Sequence, residues 1–267
     1  MTEASAPLPD ENRVSVVVAT RNRRAELLET LGRLAELPER PPVVVVDNGS
    51  TDGTPGAVRA AFPSTEVVEL ADNRGAGARN VGVARARTPY VAFSDDDSWW
   101  APGALSRAVG ILDSVPRLGL VAARILVSED EHLDPTCRTM ADSPLPREAD
   151  LPGPPVLGFV ACGAVVRRSA FLAVGGFSEL LFIFGEEEVL ALDLAHHGWS
   201  AAYVDDVVAH HHPSPRRDHT WRRQLESRNA LLSAWLRRPV GVALRQTAGA
   251  LAAARRDPDC RRGLVQA

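Results

Sequence analysis

Three consecutive carboxylates, Asp95, Asp96 and Asp97, close an apolar run in "VAFSDDDSWW" at residues 91–100. Adjacent like charges repel and add nothing to a core. The triplet is therefore either a solvated turn, since Asp caps and turns well, or the place of a cation. Hard Mg²⁺ or Mn²⁺ takes oxygen ligands and is often held by one or two carboxylates together with a substrate's phosphates. In strand-like backbone, Asp95 and Asp97 face one side and Asp96 the other, so an alternating pair can address one ligand. A second cluster, Glu186, Glu187 and Glu188 in "FGEEEVL", opens a helical pattern. Crowded acids raise one pKa, which suits a general base, and acids in a first turn also favour the helix dipole. A third, His210, His211 and His212 in "AHHHP", offers imidazole at the end of an apolar run.

These groups need a scaffold that brings distant positions together. The β-branched runs "VSVVVAT" (14–20) and "VVVVD" (43–47) read as buried parallel strands, with "TEVVEL" (65–70) and "YVAFS" (90–94) as two more. Between the first two, Leu27, Leu28, Leu31, Leu34 and Leu37 recur at helical spacing, and Pro38 stops that helix. "PGAVRAAF" and the Ala-rich end of "ADNRGAGARNVGVARA" (71–86) supply further helices. Strands alternating with helices imply βαβ units, and such sheets bind ligands beyond the carboxyl ends of their strands. Thr20 and Asn22, Asp47 and Asn48, Asn73 to Asn80, and Asp95 to Asp97 each follow such an end, so four polar clusters converge on one sheet edge.

The second half is less regular. Residues 123–155 are polar and Pro-rich and read as a variable loop or hairpin. "VLGFVACGAVVRRSAFLAVGGF" reads as a strand, a short helix opened by Ser169 and a Gly-Gly turn. A helix beginning at the Glu triplet packs through Leu190 and Leu194 and ends near Gly198. "SAAYVDDVVAHHHPS" is a last strand, and an Arg- and Ala-rich helical segment follows from about Trp221. Of the two tryptophans after the Asp triplet, one is expected to pack and the other to touch an acceptor.

Composition narrows the function classes. The chain has 267 residues with 45% hydrophobic and 24% charged, enough for one large α/β domain. Its net charge of −4 provides no global basic field for nucleic acid. All 30 basic residues are Arg. The three cysteines, Cys137, Cys162 and Cys260, are odd in number and form no CxxC, which argues against a disulfide framework. The polar start "MTEASAPLPDENR" is no signal peptide, and a cytoplasmic protein is expected.

"VVVATRNR", "VVVVDNGSTDGT", "NRGAGARNVG" and "FSDDDSWW", in this order, resemble the nucleotide-sugar half of family-2 glycosyltransferases with the GT-A fold. The resemblance continues through "GAVVRRSAFLAVGGF", "FGEEEVLALDLAHHGW" and "VVAHHHP", covers about residues 14–230, and is greatest to rhamnosyltransferase-type bacterial members. It implies a Rossmann-like, mainly parallel sheet flanked by helices, with a smaller acceptor-side subdomain and C-terminal helices. The implied divisions are a disordered tail (1–13), a nucleotide-sugar half (14–122), an acceptor and catalytic half (123–220) and a helical segment (221–267).

The implied activity is inverting transfer of a hexosyl or deoxyhexosyl unit from a UDP- or dTDP-linked sugar to a glycan, lipid-linked or small-molecule hydroxyl. By the resemblance, Asp47, with Asn48 beside it, meets the nucleobase and Thr20 lines the same pocket. Arg79 and Asn80 lie near the nucleotide, as do Asn22 and Asp96. Asp95 approaches the ribose or the metal, and Asp97 holds Mg²⁺ or Mn²⁺ on the diphosphate. The family's Glu-Asp at a helix start is here Glu186-Glu187, which aligns Glu187 with the base, and a second acidic position is Val189. One histidine is implied as a metal or diphosphate ligand; spacing from Asp206 favours His211, and a one-residue slip selects His210. Arg222, Arg223, Arg228, Arg237 and Arg238, interleaved with Trp221 and Trp235, suit either packing on the domain or an anionic membrane surface, where lipid-linked acceptors reside.

Two rivals share parts of this pattern. A nucleotidyltransferase has the sheet and the acidic site, but opens with a Gly-rich, Lys-containing loop where this chain has "ATRNRRAEL". A catalytically weakened nucleotide-sugar binder is kept open by the Glu187 and Val189 departures.

Overall fold

Runs of β-branched residues with few polar interruptions cannot leave either face in water, and here they build the middle of one sheet. Val14–Thr20 (β1), Val43–Asp47 (β2), Glu66–Glu69 (β3) and Tyr90–Asp95 (β4) are parallel in the order β3-β2-β1-β4. In the computed structural model, residues 13–213, 219–255, 261–263 and 265 are described. Apart from Arg13, the tail expected over 1–13 lies outside them, as does Cys260. Helices Arg24–Ala35 (α1), Thr54–Ala61 (α2) and Ala78–Arg85 (α3) link these strands. The leucine stripe of α1 is buried as its spacing requires, with Leu27, Leu31 and Leu34 in the core. Close packing of α3 on the sheet depends on Gly82. A Cβ there would stand 2.4 Å from a methyl of Val17 and 3.1 Å from one of Val46.

Register sets the strand ends level. Thr20 lies opposite Asp47, and Ala19 opposite Asp95. The C-terminal ends of β1, β2 and β4 therefore finish on one edge, as the alternating pattern predicts.

Beyond β4 the sheet is no longer purely parallel. Ala164–Arg167 (β8) runs antiparallel between β4 and Leu118–Val127 (β6). Ser200–His211 (β9) pairs parallel with β6, and the short Ser98–Trp100 (β5) lies antiparallel against β9. His132–Leu133 (β7) folds back on β6. The expected loop or hairpin at 123–155 is thus a strand for its first five residues, then a hairpin, then the helix Pro135–Ala141 (α5) capped by Asp134. β6 is buried and central, so its polar C-terminal neighbours mask its strand character. The division expected at 122/123 falls inside it. The helix expected to open at Ser169 begins at Arg168 (α6, Arg168–Ala173), whose amide donates to the Pro89 carbonyl without a side-chain cap. Ala104–Ser114 (α4) covers the far side of the sheet, and Glu186–His196 (α7) carries the Glu triplet. His219–Arg237 (α8) and Val240–Ala254 (α9) form the C-terminal helical pair.

Candidate functional site

The level strand ends open into a cleft of about 440 Å³. Its floor and flanks are Thr20, Asn48, Asn73, Gly75, Arg79 and the whole Asp triplet. Four guanidiniums, of Arg21, Arg23, Arg79 and Arg222, border the same space. A long aromatic wall comes from Phe182, Ile183, Phe184 and Trp221.

Each aspartate has its own partner. Asp95 pairs with Arg79, a residue only 7% exposed. Asp96 accepts a hydrogen bond from the Thr20 hydroxyl at 2.9 Å and lies 3.8 Å from Arg23. Asp97 is 3.7 Å from Arg23 and 3.3 Å from Nε2 of His211. The expected alternating split is not kept: Asp96 and Asp97 occupy a turn rather than a strand, share Arg23, and line the same cleft as Asp95. Crowding is costly here. Burial, and next the Asp97 charge, push the Asp96 carboxyl up to about 7, against Arg23 and Thr20. Burial alone would lower the pKa of Arg79, but the Asp95, Glu186 and Glu187 charges hold it above its ordinary value.

The β5–β9 pairing sends the three histidines to different neighbours. Ser98 lies opposite His211, and the His212 amide donates to the Asp97 carbonyl. Alternation then turns His211 toward Asp97 and His210 to the other face, where its ring stacks on Trp99. His212 tilts against Trp99 as well. The tryptophans differ from the expectation that one would reach an acceptor. Trp100 is fully buried, and Trp99 is enclosed between the Arg33 guanidinium and His210.

Ligand-capable atoms of Asp95, Cys162 and His211 lie within 4.8 Å of one another, and Asp97 adds a carboxylate against His211. Burial, then the Asp95 and Asp97 charges, push the Cys162 thiol well above its usual range. The thiol is thus kept neutral, and the donors suited to a hard divalent ion are Asp95, Asp97 and His211. Two carboxylates and one imidazole, beside a cleft with room for phosphate, fit Mg²⁺ or Mn²⁺.

Other expected residues act as scaffolding. Asn22 has a left-handed φ of 54°, a conformation Asn tolerates, and its side-chain oxygen accepts from the Thr51 amide. The Asn48 amide bridges the Arg74 nitrogen and the Gly75 carbonyl. Asn80 makes a matched pair of hydrogen bonds with the Phe177 backbone and does not line the cleft. Buried Asp47 holds the Ser50 amide with one oxygen, while its other, Oδ1, has no hydrogen-bond partner.

Pattern reading missed several groups. Arg23 stands at the N-cap of α1, and nothing in "RNRR" distinguishes it from its neighbours. The aromatic wall is held by Asn229, buried in α8, whose Nδ2 lies 2.6–2.8 Å from the carbonyls of Leu181, Ile183 and Phe184. Phe182 and Phe184 both have φ near +70°, so this clamp holds backbone that bulky residues avoid. The Phe182 carbonyl accepts from the Ala76 amide, and a Cβ on Gly75 would meet that oxygen at 2.1 Å.

The Glu triplet begins α7 behind Gly185, whose φ is 88°. Glu186 is 2% exposed and its Oε2 has no partner. Burial, then the Glu187 charge, push it up to about 8 against Arg79. Burial also raises the Glu187 pKa, opposed by backbone hydrogen bonds and Arg79. The Asp95 charge acts on Glu187 too, although Glu187 does not line the cleft. It lines a second cavity of about 410 Å³, which Glu188 borders while pairing with Arg238. Val189, at the second acidic position of the resemblance, is buried.

Residues 15–175 match the family model described as Glycosyl transferase family 2. The chain is 28% identical over 231 residues to N-acetylglucosaminyl-diphospho-decaprenol L-rhamnosyltransferase of Mycobacterium tuberculosis, spanning 74% of this chain and 75% of that one. It is 34% identical over 222 residues to pre-mycofactocin glycosyltransferase of the same organism, spanning 79% of this chain and 45% of that one. Among solved structures, the mannosyltransferase PcManGT of Pyrobaculum calidifontis, in complex with GDP-Man and Mn²⁺, superposes with a TM-score of 0.64 at 24% identity over 90% of this chain and 75% of that one. S. aureus TarS 1-349 in complex with UDP-GlcNAc gives 0.63 at 18% identity over 83% of this chain and 66% of that one. These likenesses establish the GT-A fold.

The Glu186 shift has a signed consequence. A carboxyl raised from 4.5 to about 8 on folding binds more protons in the native state across that window. Stability is therefore expected to fall as pH rises from 5 to 9, and Glu186→Gln to remove part of that fall. Urea midpoints of both proteins at pH 5, 7 and 9 measure it; parallel profiles would contradict the assignment.

Proposed function

The chain belongs to glycosyl transferase family 2, and from that premise we propose that it is an inverting, metal-assisted glycosyltransferase acting on a UDP- or dTDP-linked hexose or deoxyhexose. The observation that carries this reading is one juxtaposition. A carboxylate–imidazole cluster and four guanidiniums share a cleft, and Glu187 stands at its side within reach of the Arg79 and Asp95 charges. An L-rhamnosyltransferase among the relatives supports a deoxyhexose, and neighbours bound to GDP-Man with Mn²⁺ and to UDP-GlcNAc support a nucleotide-sugar donor.

Asp47 and Asn48 stand at the end of β2, where a nucleobase and ribose would enter, with Thr20 on the adjoining strand. Mg²⁺ or Mn²⁺, held by Asp95, Asp97 and His211, would neutralise charge on the departing diphosphate. Arg23, Arg79 and Arg222 surround that diphosphate with fixed positive charge. Glu187 takes the proton of the acceptor hydroxyl as its oxygen bonds to the anomeric carbon. The bond from that carbon to the diphosphate oxygen breaks on the opposite face, which inverts the configuration. A raised pKa suits Glu187 to this role, since a base near the working pH holds the proton it receives.

The C-terminal pair supports a peripheral membrane contact. Val240, Leu244 and Leu251 project from one side of α9, 49–66% exposed, near exposed Trp235 and Leu236 at the end of α8. Residues 219–255 hold seven Arg against one Glu in a chain of net charge −4. No helix among the described residues is long and apolar enough to cross a membrane. Exposed apolar side chains in an Arg-rich helical segment suit anionic lipid headgroups.

Two results are expected. Glu187→Gln should lower kcat by roughly 10²–10⁴-fold while nucleotide affinity stays as in the wild type, read by product assay and calorimetry. Unchanged kcat would remove Glu187 as the base, and donor binding without transfer or hydrolysis in the wild type would favour the non-catalytic alternative. Co-sedimentation with phosphatidylglycerol vesicles should exceed that with phosphatidylcholine and fall in Val240→Ser/Leu244→Ser; equal recovery with both lipids would refute the contact.

A further inference from the structure

The cavity beside Glu187 differs in chemistry from the donor cleft. Met140, Leu145, Val156, Leu157 and Phe159 form most of its wall. Its hydroxyls are largely committed. Ser143 donates to the Pro155 carbonyl at 2.6 Å, and Thr139 reaches back to the Pro135 carbonyl. Among the described residues no basic side chain lines it, and its charged groups are two carboxylates, Glu187 and the Arg238-paired Glu188. The donor cleft has four guanidiniums and can take a diphosphate; this cavity repels anions and gives a polyhydroxylated ring few partners. Its volume of about 410 Å³ lies in the ordinary range for small-molecule sites.

The carboxylate that would accept the proton belongs to this cavity, and the cation that steadies it, Arg79, belongs to the donor cleft. A group seated among Leu145, Leu157 and Phe159 can therefore present a hydroxyl to Glu187 from the side away from the diphosphate.

We propose that the acceptor carries its reacting hydroxyl beside an uncharged, apolar skeleton that fills this cavity, and that a phosphorylated or acidic sugar does not occupy it. This rests on the glycosyltransferase reading with Glu187 as base. The step balances as an ordinary substitution. The alcohol oxygen gains the anomeric carbon, its proton passes to Glu187, and the nucleoside diphosphate departs with the electron pair of the broken bond. Burying the apolar part excludes water from the base and so suppresses hydrolysis of the donor.

The test has a binding arm that needs no donor. Saturation-transfer NMR with benzyl alcohol, D-glucose and glucose 6-phosphate is recorded on the wild type and on Leu157→Asp and Leu145→Asp, both at half-buried wall positions. Thermal midpoint and nucleotide binding at the separate cleft show that each variant is folded. Benzyl alcohol is expected to give the strongest transfer in the wild type and to lose most of it in either variant. With donor supplied, it should accept sugar with kcat/KM at least tenfold above D-glucose. Preference for glucose or its phosphate, or alcohol binding unchanged in both variants, would overturn the proposal. Alcohol binding lost in the variants, in a protein that binds no nucleotide, would overturn the glycosyltransferase reading and leave the cavity's ligand class standing.

Discussion

Mutual repulsion among three carboxylates at the end of one buried strand is the constraint on which the site depends. Asp95, Asp96 and Asp97 cannot stay ionised together in a half-buried turn unless positive charge reaches each of them. Two guanidiniums do this, Arg79 from α3 at Asp95 and Arg23 from the start of α1 at Asp96 and Asp97, while His211 from β9 places its Nε2 3.3 Å from Asp97. Burial, and next the Asp97 charge, still raise the Asp96 carboxyl to about 7. A divalent ion with its diphosphate would complete the charge compensation, which links the electrostatic strain of the free protein to its function.

That constraint also explains the architecture around the cleft. Arg79 is buried, pairs with Asp95 and also feels the Glu186 and Glu187 charges, so one guanidinium is coupled to both sets of acids. β9 pairs with β6 on one side and β5 on the other, and the β5 pairing brings His211 beside Asp97. α8 supplies Trp221 to the cleft, and its Asn229 holds the strained Phe182–Phe184 segment in place. The two cavities differ in lining, one bordered by four Arg side chains and the other mostly apolar with Glu187 and Glu188.

Much of this was legible from residue order. Valine runs and the Leu27–Leu34 stripe identify the parallel half, and the residues after each strand identify the reactive edge. What stayed hidden depends on contacts distant in sequence. β6 reads as loop because its polar flank follows a strand buried by its neighbours, and β8 shows no sign in its residues of running antiparallel. The choice of His211 over His210 follows from a three-residue strand, Ser98–Trp100, too short to give a periodic signal. Asn80 and Asn22 have the side-chain type of nucleotide ligands but hold backbone instead, since an amide serves both purposes. Arg23, at the N-cap of α1, and Asn229, within α8, lie in sequences that give no reason to single them out.

The most direct test is calorimetric titration of UDP, dTDP and GDP, each with and without Mn²⁺, on the wild type and on Asp97→Ala. The account predicts that one nucleotide binds the wild type in a metal-dependent way, and that Asp97→Ala loses at least tenfold in affinity with Mn²⁺ while remaining folded. Binding that is indifferent to Mn²⁺ and unchanged in Asp97→Ala would contradict it, and the Asp triplet would then be a turn and nothing more.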